Sequence, residues 1–113
     1  MAFRLSPFTQ TLSAAGAGTP VAIIPVERNM PAPSILVNVS SGANLTYNIE
    51  VTGDDPTVTG YNPATGNWFP FQGLSALTAS QVGSLGALVS QVRLNITSYT
   101  SGSITWQLVQ AVP

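Results

Sequence analysis

Period-two alternation dominates the last quarter of the chain. Between Gln91 and Gln110, Val92, Leu94 and Ile96 alternate with Arg93, Asn95 and Thr97. After a Ser/Thr/Gly turn, Ile104, Trp106 and Leu108 alternate with Thr105, Gln107 and Val109. Apolar residues at every second position turn one face of an extended strand toward a core. Two such runs around a turn predict a β-hairpin, the centre of an antiparallel sheet. Centred on Thr100, it opposes Ile96 with Ile104, Leu94 with Trp106 and Val92 with Leu108. Ser34 to Thr52 reads as a second hairpin about Gly42, with Val39 opposite Leu45, Val37 opposite Tyr47 and Ile35 opposite Ile49. LTYNI at 45–49 matches ITWQL at 104–108 in residue type, and each follows a Ser-Gly turn. This is a faint internal echo, which convergence on good strand chemistry explains equally well.

The remaining segments are less regular. Residues 1–20 predict an extended N-terminal arm, with Phe3, Leu5 and Phe8 as anchors and SAAGAGTP at 13–20 as small-residue linker. Such an arm packs either on a neighbouring subunit or on its own domain, which takes in residues 21–113. VAIIPV at 21–26 contains Pro25, which confines it to an edge strand or a strand end. NMPAP at 29–33 is an extended connector. Gly53 to Gly66 is turn-rich and long enough to be an exposed excursion. Trp68, Phe69 and Phe71 surround Pro70, which suits an irregular or edge strand. Leu74 to Leu88 has partly helical spacing, but Gly83 and Gly86 would each cost a helix about 1 kcal/mol. A short helical turn near Ser75 or Thr78 is expected there. Six to eight strands with almost no helix predict an all-β antiparallel sandwich, jelly-roll-like in style.

Composition adds a statement about the surface. Of 113 residues only 6% are charged, against about 25% in an ordinary soluble domain. The polar surface must therefore be Ser, Thr, Asn and Gln. So few charges give little electrostatic protection against self-association, which points to a surface covered by partner chains. Three arginines and no lysine make no basic patch, so direct nucleic-acid binding is not expected. No apolar run approaches the length of a membrane helix, and no membrane partner is expected. The N-terminus lacks the continuous apolar stretch of a signal peptide.

The chemistry for catalysis is thin. His, Cys and Lys are absent, which removes the usual base and the best nucleophile. Neither an enzyme nor a cofactor site is expected. Glu27 beside Arg28 reads as a surface pair, and Glu50 as an outward strand position. Asp54 and Asp55 precede Pro56 in a turn. With Thr52, Thr57 and Thr59 they have the hard oxygen chemistry of a Ca²⁺ ligand set, but turn capping is the preferred reading and no metal site is assigned. As a glycosidase-like pair, adjacent residues in one turn are poorly placed to flank a bond. Three Asn-x-Ser/Thr triplets, at Asn38, Asn44 and Asn95, read as outward polar strand positions. Arg93 is the lone charge on the outward face of its strand. It is either a spacer or an anchor to Glu50, Asp54 or a neighbouring subunit. Among the aromatics, Trp106 and Tyr47 read as core, and Tyr99, at the expected hairpin tip, as the most exposed.

QVRLNITSYTSG followed by SITWQLVQ, with YNIEVTGDD and NWFPFQGLSAL upstream, resembles small structural proteins of tailed bacteriophage virions. The resemblance covers 35–110 and is one of style, that of a virion β-sandwich. It implies a multimeric, often trimeric, non-enzymatic protein located in the virion. The expected role is a head decoration (cement) protein whose partners are its own copies and the major capsid protein. Interface candidates are Phe3, Arg4, Phe8, Tyr61, Trp68, Arg93 and Tyr99. The alternative is a tail or fibre component that binds another tail protein, or a host glycan through Tyr61, Trp68 and Tyr99.

Overall fold

The alternating segments form strands, but each expected hairpin opens into two different sheets. A computed structural model describes residues 4–24, 31–86 and 89–112. Its strands are β1 (Arg4–Leu12), β2 (Gly16–Ala17), β3 (Val21–Ala22), β4 (Ser34–Val39), β5 (Asn44–Thr52), β6 (Phe69–Pro70), β7 (Gln81–Ser84), β8 (Gln91–Ser101) and β9 (Ile104–Val112). One sheet has the order β1-β9-β4-β7. The other has the order β2-β8-β5-β6, with β3 also on β8. All pairings are antiparallel, and the two sheets share one core, so the fold is an all-β sandwich.

The pairing predicted inside 34–52 and inside 91–110 is thereby corrected. Strand β4 pairs with β9, placing Ile35 beside Leu108, Val37 beside Trp106 and Val39 beside Ile104. Strand β5 pairs with β8, placing Tyr47 beside Ile96, Ile49 beside Leu94 and Val51 beside Val92. Every residue expected inward on these strands is found there, with only its neighbour changed, and Tyr99 joins them against expectation. A short turn serves equally to fold a strand back in its own sheet or to carry it across to the facing one. Crossing lets each apolar set cover the other. Each large side chain so buried contributes about 1.5–3 kcal/mol.

The two crossing turns pack on each other. Ser40 N donates to Ser103 O at 2.9 Å, and Ser103 N donates to Ser40 Oγ at 2.9 Å. Gly102 has φ +98°, and a Cβ there would collide with the Ala43 side chain. The echo between 45–49 and 104–108 now has a spatial meaning. Strands β5 and β9 are each the second strand of a crossing unit, and Tyr47 and Trp106 hold matching central places, both at 0% exposure. Their polar heads are partnered: Tyr47 Oη donates to Ala79 O at 2.8 Å, and Trp106 Nε1 donates to Gln10 Oε1 at 3.2 Å. Burial pushes the Tyr47 phenol up to about 12, so it stays a donor at neutral pH.

The N-terminal segment is extended, and it packs on its own domain. Strand β1 pairs with β9 along all nine of its residues. Phe8 meets the Trp106 ring edge-on at 5.5 Å. Residues 13–20 then carry the chain to the other sheet, where β2 joins β8. Val21–Ala22 forms the expected edge piece on β8. The continuation through Pro25, and with it Glu27 and Arg28, lies outside the described residues. The short helical turn expected near Ser75 or Thr78 is absent from that stretch. Its backbone is instead drawn out along β5: Ile49 N donates to Leu74 O at 2.8 Å and Tyr47 N to Leu77 O at 2.9 Å. Among the described residues a single 3-10 turn occurs, elsewhere, at Pro63–Thr65. The edge strand expected around Pro70 is present as β6.

Candidate functional site

The two sheets present contrasting outer faces, and these are the surfaces on which function is sought. On the five-stranded sheet, Glu50 of β5 and Arg93 of β8 are cross-strand partners. Both alternate with core residues, so both point outward. They are nonetheless shielded, with side chains 10% and 13% exposed, because the 53–68 loop folds over them. Arg93 Nη2 lies 2.8 Å from Glu50 Oε1, and Arg93 Nε donates to the same oxygen at 2.8 Å. Asn95 Nδ2 donates to Glu50 Oε2 at 3.0 Å, so both carboxylate oxygens are occupied. Of the anchors considered for Arg93, the structure selects Glu50.

The loop closes over this pair with an aromatic lid. The Arg93 guanidinium carbon lies 4.1 Å from the Trp68 ring centroid, a cation–π contact. Trp68 Nε1 donates to Pro63 O at 2.9 Å, and Tyr61 Oη donates to Gln91 Oε1 at 3.2 Å. Asn62 caps the 3-10 turn, its Oδ1 accepting from Ala64 N at 3.0 Å. Gly66 is required by close approach: a Cβ there would sit 2.9 Å from Asp54 Oδ2 and 3.2 Å from Trp68 Nε1.

The two turn aspartates hold the same loop. Asp54 Oδ2 accepts from Asn67 N at 2.7 Å, and Oδ1 accepts from Asn67 Nδ2 at 3.2 Å. Asp55 Oδ1 accepts from Thr57 N at 2.9 Å and from Thr57 Oγ1 at 2.6 Å, the geometry of turn capping. These donors, Asn67's backbone N–H foremost for Asp54 and Thr57's hydroxyl foremost for Asp55, hold both carboxyls below the usual carboxylate range. A depression of about 320 Å³ lies beside them, lined in part by Tyr61 and Asn67. Among the described residues no group of three or more His, Cys, Asp or Glu gathers.

The outer face of the four-stranded sheet is different. Leu36, Asn38, Thr105, Gln107, Val109, Pro7 and Thr9 point outward, and none is charged. A shallow depression of about 430 Å³ opens there between Leu36, Val82, Thr105 and Gln107. Leu5 and Val82, on the two edge strands of the sheet, are 63% and 68% exposed.

The interface candidates scatter over this frame. Arg4 is exposed at the start of edge strand β1. Phe8 is turned into its own core, and Phe3 lies outside the described residues. Tyr61, Trp68 and Arg93 converge on the loop cluster, engaged with one another's neighbourhood and with the sheet. Tyr99 is not the exposed tip that was expected. The β5–β8 register shifts between Thr46 and Tyr47, so that Thr97 has no partner and Tyr99 comes opposite Leu45. This bulge reverses the alternation and turns the Tyr99 ring toward the core, with its hydroxyl donating to Gly102 O at 3.0 Å. Sequence reasoning missed Asn95, Gln91 and Asn67 as partners of the cluster, and Leu5, Val82 and Phe69 as exposed apolar residues. Outward parity would have found Asn95 and Gln91, but no local signal places Asn67.

No family model matches this chain, and no curated protein matches it. Among solved structures, the chain is similar to one from the work described as "Bacillus endospore appendages form a novel family of disulfide-linked pili". The TM-score is 0.44 at 13% identity, over 98% of this chain and 89% of that one. This chain has no cysteine.

Proposed function

We propose that this chain is a non-enzymatic structural component of a tailed-phage particle, a head decoration protein that multimerises and clamps neighbouring major capsid subunits. The observation that carries the reading is the outer face of the four-stranded sheet, uncharged among the described residues, with Leu5 and Val82 exposed at its edges. A free monomer gains nothing from such a face, whereas a subunit covered by neighbours needs one without charges to desolvate. The three described carboxylates support the same reading. Glu50, Asp54 and Asp55 are each committed to structural donors, holding a loop rather than facing a substrate.

The test is location. Purified particles, separated into heads and tails and probed by mass spectrometry, should contain the chain in the head at a copy number proportional to the capsid subunits. Its absence from particles, or confinement to tails, overturns the proposal.

A further inference from the structure

We propose that the free edge of β1 is a pairing edge for a second copy of this chain. The two β1 strands join antiparallel about a two-fold axis at Phe8, and the four-stranded sheets of the two copies become one. The proposal rests on the reading of the chain as a self-assembling component and names the surface that does it.

Strand β1 ends the order β1-β9-β4-β7, so one of its sides is bonded to β9 and the other is unpaired among the described residues. It is nine residues long, whereas the opposite edge, β7, has four. An unpaired edge is a template for another strand, and proteins that must stay monomeric blunt it with charge, brevity or a covering element. From Leu5 to Leu12 there is no charged residue. Among the described residues no backbone hydrogen bond other than those to β9 engages this strand. Pro7 sits within it, opposite Val109. Proline is tolerated in a strand where its missing N–H would face away from the ladder. Leu5, Thr9 and Thr11 therefore present both backbone groups outward, and Pro7 presents its carbonyl.

The occupant follows from symmetry and charge. A two-fold axis at Phe8 uses the whole strand. Leu5 of one copy meets Thr11 of the other, and Pro7 meets Thr9, whose N–H finds the Pro7 carbonyl. Arg4, the one cation of the strand, falls beside Leu12 of the second copy, so the two guanidiniums lie at opposite ends of the joint. Outer faces stay on one side, and the uncharged surface becomes continuous across both copies. A strand of nine residues spans about 30 Å. Strand pairing alone buries less than the roughly 800 Å² per partner of a standard interface, so the dimer dissociates on dilution.

Light scattering across a concentration series should show the mass rising from 11.7 kDa toward twice that value. Thr9→Pro removes one outward N–H from each copy, two hydrogen bonds in all, and should weaken the dimer at least about tenfold. A Thr9→Lys, Thr11→Lys double variant should do the same without restricting the backbone, and so serves if Thr9→Pro does not fold. Val82→Lys, on the opposite edge, should leave dimerisation unchanged. A spin label on Thr9→Cys should show strong coupling in the dimer, with Cα atoms about 8 Å apart, and a label on Val58→Cys should not. A monomer at every concentration overturns the proposal. So does an oligomer indifferent to the β1 variants, or the absence of coupling at position 9. An oligomer built on another surface would leave the particle assignment standing, and absence from particles would remove that assignment whatever β1 does.

Discussion

The outer faces of the two sheets differ although their inner faces are alike. Both inner faces carry the same alternating β-branched and aromatic set, centred on Tyr47 in one sheet and Trp106 in the other. The outer face of the five-stranded sheet carries the ion pair of Glu50 and Arg93, and a loop is spent to cover it. The outer face of the four-stranded sheet carries no charge among the described residues and opens into a shallow depression. Charge on an outer strand position thus marks where this chain covers itself. Its absence marks where, on the proposed reading, another chain does the covering. In a sequence with three arginines, placing one beneath Trp68 is a substantial allocation.

The largest effect should come from breaking the covered pair on one side only. Glu50→Ala leaves the Arg93 guanidinium shielded without its carboxylate, and should cost about 3 kcal/mol in chemical denaturation. Replacing both partners, as Glu50→Leu with Arg93→Met, should recover most of that loss. If the double variant is no better than the single one, the pair does not act as a unit. Next, Trp68→Ala removes the cation–π contact and the bond to Pro63 O, for about 2 kcal/mol. Hydrogen exchange should quicken through 61–68 while the β4–β9 ladder stays protected. Uniform loss of protection would mean that the loop and the sandwich are one cooperative unit.

A smaller, pH-dependent effect belongs to Asp54. Its carboxyl is held below the ordinary value of 3.8 in the folded protein. Its contribution is therefore fully present above that value and is lost as pH falls through the lower folded-state value. The melting temperatures of wild type and Asp54→Asn should differ near pH 6 and converge in strong acid. A gap that stays constant with pH would show that ionisation is not what Asp54 contributes. The smallest effect on stability is expected on the uncovered face. Gln107→Lys should shift unfolding by no more than about 0.5 kcal/mol. The same variant should lose incorporation into particles, measured by competition with wild type, because an unpaired lysine must be desolvated there. Normal incorporation would show that this face is not the covered one.

Arg93 and Tyr99 show how far local pattern reaches. Both lie on β8, and alternation places Arg93 outward, where it is found. The same alternation fails six residues later, because the bulge at Thr97 shifts the register and no residue type at 97–98 announces it. Asp54 and Asp55 were legible as turn residues, whereas Asn67 as Asp54's donor comes from 13 positions away. The cluster around Glu50 was half legible. Its charged pair stands out in a charge-poor chain, but the Trp68 lid depends on how a long loop returns.

By itself, the sequence determined that this chain is built mainly of strands and, up to the bulge at Thr97, which strand residues face the core, because side-chain parity in an extended strand is a local property. It also determined that the surface is hydroxyl- and amide-rich rather than charged. Only the tertiary structure decided which strands are neighbours. The turns at 40–43 and 102–103 could have closed within a sheet or between sheets with the same inward set. The choice fell to contacts far apart in the chain, Val37 with Trp106 and Ile49 with Leu94. Those contacts also placed the N-terminal segment as an edge strand and set a loop over Arg93, neither of which any window of the sequence contains.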